Sequence, residues 1–186
     1  MQKNKTYSVE ITGLTAEGAG VARVDGQVVF VPGVIPGERC KIKIDYVGRT
    51  CAYASLVWVE ESSVHRVTPE CESFGKCGGC VFWHMDYACE LEQKRRRVQD
   101  ALSRIGGIDF PDLQITGSEH TYGYRNKVQF PVQVQNGKAA AGFYKAGSHT
   151  VIPITDCKIQ PEVAKTIRAA VLSWMEKENV PAYDER

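Results

Sequence analysis

Residues 21–31 read VARVDGQVVFV. Two runs rich in β-branched residues flank Asp25-Gly26, a dipeptide suited to a two-residue turn whose central positions both take positive φ. The stretch therefore predicts a hairpin, Val21–Val24 against Gln27–Val31. Toward the N-terminus, Tyr7–Ile11 alternates apolar and polar residues and reads as another strand. Toward the C-terminus, Pro32-Gly33 and Pro36-Gly37 punctuate a connection. Cys40–Asp45 then supplies a fourth strand and Ala52–Val59 a fifth. Five short strands in succession predict a small closed barrel, because closure removes exposed sheet edges.

Beyond residue 70 the pattern changes. Residues 71–85 are rich in cysteine and glycine, and a helix follows from about Asp86 to Ile105, stopped by Gly106-Gly107. Leu91, Val98, Leu102 and Ile105 form its apolar stripe, while Lys94, Arg96, Arg97 and Arg104 occupy its other faces. Tyr122–Val134 alternates, with Tyr122, Tyr124, Val128, Phe130, Val132 and Val134 on one face and Arg125, Lys127, Gln129 and Gln133 on the other. Asn136-Gly137 turns into Lys138–Tyr144, and Thr150–Ile154 adds a further strand. A last helix runs from Pro161 to about Glu178, with Val163, Ile167, Val171 and Trp174 recurring along one side. The fold class expected is β-rich α+β: a five-stranded OB-like barrel over residues 1–62, then an α+β domain over residues 63–186 with an antiparallel sheet and two helices.

The chain has 186 residues, of which 43% are hydrophobic and 24% charged, values of a globular protein rather than a disordered one. No apolar run approaches the ~20 residues of a membrane span. The polar opening MQKNKTYSVE lacks the apolar segment of a signal peptide, so a cytoplasmic protein is expected, with no membrane partner. The net charge of +1 neither announces nor forbids a nucleic-acid-binding face.

Seven cysteines are many for such a chain. In a reducing compartment disulfides lose to metal binding as the reading of a cysteine cluster. The strongest chemical signal is Cys71-x5-Cys77-x2-Cys80, with Gly75, Gly78 and Gly79 between the thiols. Three thiols converge on one centre only if the backbone bends tightly, which glycine permits. Free glycine N–H groups can also point at inorganic sulfide. Zinc sites usually show paired knuckles or histidines at regular spacing, and here there is one C-x2-C without a second. An iron–sulfur cluster takes four thiolates, often three close and one remote, which matches better. A radical-type cluster is a further alternative, although its C-x3-C-x2-C spacing differs by two residues. The fourth ligand is Cys89 or Cys157. Cys89 lies two residues before Leu91, about 160° round the helix from the apolar stripe, and geometry leans to Cys157 without settling it. Cys40 and Cys51, in or beside strands, read as small packing residues.

The segments CESFGKCGGCVFWH (71–84), YGYRNKVQFPV (122–132) and DCKIQ (156–160) resemble the RNA (uracil-C5)-methyltransferases that modify ribosomal RNA. Residues 6–60, with ITGLTAEGAGVARVDGQVVFVPGVIPGE, resemble a TRAM domain, the OB-like RNA-binding barrel at the front of those enzymes. TRAM alone is less specific, since it also occurs on radical methylthiotransferases. The resemblance implies a [4Fe–4S] cluster held by Cys71, Cys77, Cys80 and Cys157. It also implies a downstream domain that uses S-adenosylmethionine, where a cysteine thiolate attacks C6 of uracil and a carboxylate later removes the C5 proton. None of that machinery is legible in these residues. The expectation is therefore a front portion with no catalytic residue, inactive in methyl transfer by itself.

RNA, ribosomal by resemblance, is the expected partner, and a monomer the expected state. Arg125 and Lys127 would meet phosphates, with Asn126 beside them. A solvated sheet face explains them equally well. Arg23 and Lys41 on the barrel would line a groove that tracks the backbone. The run Lys94–Arg97 reads as a wet helix surface. Phe82, Trp83 and His84 read as shields for the cluster rather than a stacking site, with His84 hydrogen-bonded rather than ligating.

Overall fold

The computed structural model describes residues 1–183. The three last residues of the expected second domain, 184–186, lie outside them. The chain divides into two compact units, one of residues 1–69 with 81–117, the other of residues 70–80 with 118 onward.

The first unit is built on β1 (Thr6–Glu10), β2 (Gly13–Leu14), β3 (Gly20–Val24), β4 (Gln27–Val31), β5 (Arg39–Val47) and β6 (Cys51–Glu61). They form one mixed sheet in the order β1-β5-β6-β4-β3-β2. Every pair is antiparallel except β4 with β6. Val24 pairs with Gln27 across a turn in which Asp25 has φ 50° and Gly26 φ 80°, as the hairpin signal requires. The sequence gives no sign of the sixth strand, β2, because two residues show no period. Thr12 N–H donates to Val21 O at 2.8 Å, so the chain leaving β1 runs beside β3. Val9, Ala22, Val29, Val31, Ile42, Ile44 and Ala52 share one buried cluster. Inward residues of β1, β3, β4, β5 and β6 thus meet in a common core, and the sheet curls about it.

Helix α1 (Tyr87–Asp100) continues as a π-helical turn over Ala101–Ile105. Asp86 caps it, accepting from Cys89 N–H at 2.7 Å. The expected apolar stripe is not the buried side. Val98 and Ile105 are exposed, whereas Cys89 is buried with Ile35 and Met85. A side chain as small as cysteine lets the helix approach the Ile35 loop closely, and that contact sets its rotation.

The second unit holds β7 (Val132–Gln135), β8 (Lys138–Tyr144) and β9 (Val151–Pro153), an antiparallel sheet in that order. Asn136 and Gly137, with φ 52° and 79°, turn β7 into β8. Helix α2 (Glu162–Lys177) lies on β8. Its stripe of Val163, Ile167, Val171 and Trp174 stays exposed, and Met175 is its buried residue. The long strand expected over Tyr122–Val134 shrinks to β7. Gly123 takes φ 61°, which breaks the pleat. Gly123 and Arg125 N–H groups bond to Lys158 O and Ile159 O at 2.9 and 3.0 Å, so residues 122–126 run as an irregular segment against the 157–160 turn. Among the described residues no helix is long and apolar enough to cross a membrane.

Candidate functional site

Cys71, Cys77, Cys80 and Cys157 all fall in the second unit and line one cavity of about 40 Å3. A single water needs roughly 10–15 Å3 on such a measure, so the cavity exceeds one solvent molecule. The bend that carries three of the thiols is held by its own backbone. Phe74 N–H donates to Cys71 O at 3.0 Å, and Cys77 N–H to Ser73 O at 2.9 Å. Gly75 sits between them at φ 76°. Cys77 bridges to Lys145, and Gly78 N–H donates to Tyr144 O at 3.0 Å. The approach leaves no room for a side chain: a Cβ on Gly78 would lie 3.1 Å from the Ala146 backbone. Cys157 comes from the turn between β9 and α2, which Gln160 N–H closes onto Cys157 O at 3.1 Å. Phe143, Ile154 and Ile159 wall the cavity, the two isoleucines being buried. Of these three, only Ile159 lies in a segment, DCKIQ, that carries the family resemblance; Phe143 and Ile154 lie in stretches read only as strands.

All seven cysteines are free thiols. The Cys80 thiol is pushed up to about 11, first by burial, then by Cys157 and Cys77, with Arg125 opposing and Cys71 adding. Burial also raises Cys157, Ile159 N–H lowers it, Cys71 and Cys77 raise it, and Gln160 N–H lowers it. The four thiols thus share one lining, and backbone donors already point at sulfur. Gly79 N–H lies 3.3 Å from Cys77 Sγ.

As they stand, no three or more His, Cys, Asp or Glu side chains among the described residues form a group able to hold a metal ion. One zinc with bonds of ~2.3 Å requires sulfurs only about 3.8 Å apart. In a [4Fe–4S] cluster each thiolate meets its own iron across a wider cage. Four thiols, apolar walls and N–H donors toward sulfur fit that group chemically, and Ser73, Arg125 and Asp156 complete the lining.

Arg125 lines this cavity, its N–H on Ile159 O. Asn126 and Lys127 are exposed, without the strand that would have given Arg125 and Lys127 a common face. Gln133, expected on that polar face, is a clamp: its Nε2 donates to His149 O at 2.7 Å, and its Oε1 accepts from Val151 N–H at 2.9 Å. Arg23 and Lys41 both project from the outer face of the first sheet, opposite Val28 and Trp58. Arg23 donates to Gly26 O and Lys41 to Ser8 Oγ.

The remaining candidates are accounted for locally. Phe82 packs against the buried cluster of Ile35, Met85 and Cys89 in the first unit, and its ring lies over Gly18. His84 is buried with Nε2 3.2 Å from Val34 O, a hydrogen-bonded residue as expected. Most of the basic run on α1 engages its own helix: Lys94 pairs with Glu90, and Arg95 and Arg96 with Glu92, whereas Arg97 donates to Ala16 O at 3.0 Å. Those hydrogen bonds hold the Glu92 carboxyl down at about 2. Burial pushes the Cys40 thiol up to about 11, as suits an inert core cysteine.

Residues 1–57 match the TRAM domain family. Over all 186 residues the chain is 41% identical to a protein of Clostridium tetani named an uncharacterized RNA methyltransferase, covering 40% of it. Proteins of the same name in Bacillus cereus and Halalkalibacterium halodurans share 37% and 38%, each with 41% of its length covered. The chain thus spans about two-fifths of the curated relatives it matches. Among solved structures it resembles the Pyrococcus abyssi tRNA (uracil-54, C5)-methyltransferase in complex with S-adenosyl-L-homocysteine. The TM-score is 0.66 at 22% identity, over 93% of this chain and 37% of that one, a likeness of fold.

Proposed function

We propose that the chain is the RNA-binding, [4Fe–4S]-carrying front part of an S-adenosylmethionine-dependent 23S ribosomal RNA (uracil-C5)-methyltransferase. Residues 1–62 act as an OB-like RNA-binding barrel, and residues 63–186 carry the cluster ahead of the methyltransferase domain. Similarity along the whole chain to proteins named RNA methyltransferases supports the class. The observation that carries the finer reading is the convergence of Cys71, Cys77, Cys80 and Cys157 on one cavity.

The four thiolates would hold the cluster. Gly79, Ile159 and Gln160 N–H groups would offset charge on its sulfur ligands, and Arg125 would do the same from the cavity wall. Four protein ligands leave no iron open to substrate, so the group's contribution is to fasten the 71–80 bend and the 157–160 turn together. RNA contacts fall to the exposed Arg23 and the half-buried Lys41 on the sheet and to the exposed Lys127 with Asn126 on the irregular segment, which read phosphate charge rather than sequence. Methyl transfer belongs to residues outside this stretch, and S-adenosylmethionine is their cofactor.

Purifying the chain without oxygen and assaying iron, acid-labile sulfide and zinc tests the reading. Iron and sulfide in equal amounts, about four each per chain, are expected. Zinc without sulfide would replace the cluster by a zinc-bearing binding module.

A further inference from the structure

We infer that the outer face of the first unit's sheet is a base-stacking platform for single-stranded RNA, formed by Phe30, Tyr53 and Tyr46. The inference rests on the RNA-binding reading above and gives it a place and a chemistry. Phe30 on β4 pairs with Tyr53 on β6, and Tyr53 pairs with Tyr46 on β5. Three rings therefore stand in one row across three adjacent strands, with centroids 5.6 and 6.3 Å apart. Val29 and Val31 on either side of Phe30, and Ala52 and Ala54 on either side of Tyr53, are buried in the core, and a bulge between Ile44 and Tyr46 turns Tyr46 to the same outer side. Tyr53 is 52% exposed and Tyr46 58%. Cross-strand aromatic pairing accounts for the ring contacts but not for two tyrosines left so open in contiguous order.

The charges around the row favour a polyanion. One rung to one side, Arg23 faces Val28; one rung to the other, Lys43 faces Ser55. Each rung is two residues away, about 7 Å along the strands. Arg49 is exposed in the turn after β5. Gln27 Nε2 pins that turn through Gly48 O at 2.9 Å, so the Tyr46 end of the row is anchored. Carboxylates share the face too: Asp45 accepts from Ser55 Oγ, and Glu60, farther along β6, accepts from Ser8 Oγ and pairs with Arg39. Rings that stack bases and cations that track phosphates are the two components of sequence-tolerant single-strand binding. A duplex hides its base faces and cannot use the rings.

The test uses the full chain with a labelled uridine-rich single strand, and with the same strand made abasic at internal positions. The Tyr46→Ser/Tyr53→Ser double variant should bind the intact strand at least about fivefold more weakly, the low end for one stacked base. Its affinity for the abasic strand and its salt slope should match the parent's. Tyr53→Phe, which keeps the ring, should bind as the parent does. If the double variant fails to fold, Tyr46→Ser alone, at the exposed end of the row, replaces it under the same criteria. Equal losses on intact and abasic strands would overturn the platform, as would parental binding by the serine variant. A parent chain that binds protein ligands but no RNA would overturn both the platform and the RNA reading beneath it.

Discussion

Replacing Arg66 by methionine should expose how the first unit holds its central loop. Glu38 is wholly buried. It accepts from Ile35 N–H at 2.9 Å, from Ser63 N–H at 3.3 Å, and from both Nε and Nη2 of Arg66, the latter at 2.6 Å. Arg66 also donates to Gly33 O at 3.0 Å. Breaking a buried ion pair from one side costs about 3–5 kcal/mol, because a charge is left without its partner. Two backbone donors remain to Glu38, and the Arg66 side chain is 23% exposed, so the low end applies, about 3 kcal/mol. Burial alone raises the Glu38 pKa, but Arg66 hydrogen bonds, Ile35 N–H, the Arg66 charge and Ser63 N–H outweigh it and the net shift is downward. A carboxyl with a depressed folded pKa stabilises above its unfolded value, about 4.3, and loses that contribution as pH falls through the folded value. Without Arg66 the burial effect dominates and the sign reverses. The gap between parent and variant should therefore narrow as the solution is acidified toward pH 4. Because the chain has two units, the assay should be local: hydrogen exchange at Ile44, whose N–H bonds to Lys5 O at 3.0 Å. About 3 kcal/mol corresponds to roughly a hundredfold faster exchange at neutral pH. Protection lowered less than tenfold, or a gap that widens with acid, would refute the reasoning.

Asp86→Ala removes the α1 cap and the partner of His65 Nδ1 at 2.8 Å. It should cost about 1 kcal/mol by thermal unfolding. Cys89 N–H and then His65 depress the Asp86 pKa, so the difference from the parent should vanish as pH falls below the usual aspartate range. Gln133→Ala strips the buried Val151 of its N–H partner and removes the Gln133 donor from His149 O. It should destabilise the second unit by about 1–3 kcal/mol, read as faster exchange along β8 with the first unit unchanged.

Local signals were legible wherever one physical rule dominated. Asp25-Gly26 and Asn136-Gly137 placed two hairpins because positive φ at successive residues tolerates few alternatives. Asp86 and Gly106-Gly107 marked the ends of the first helix: Asp86 caps its start, and Gly107 takes φ 64° past its end. Reading by period alone failed where backbone geometry intervened. The alternation from Tyr122 to Val134 is real in the letters, but Gly123 at positive φ and hydrogen bonds to the 158–159 carbonyls draw the segment out of the sheet. Both helical stripes were visible, yet period cannot say which side a neighbour covers: Cys89 on α1 and Met175 on α2 face the cores instead. At the candidate site, the spacing of Cys71, Cys77 and Cys80 carried most of the information. Spacing alone left Cys89 and Cys157 both open; the resemblance implied Cys157, and it is Cys157 that lines the cavity with the other three. The aromatic row needed the three-dimensional path of the chain, because its members lie on three strands and form no motif along the sequence.

The account depends most on which distant cysteine completes the thiol set. Cys157→Ser and Cys89→Ser, prepared beside the parent under strict exclusion of oxygen, decide it by iron and sulfide content per chain. Cys157 shares the cavity of Cys71, Cys77 and Cys80, whereas Cys89 is buried with Ile35 and Met85. The account predicts full iron in Cys89→Ser and most of it lost from Cys157→Ser. Full iron in Cys157→Ser together with depletion in Cys89→Ser would contradict it.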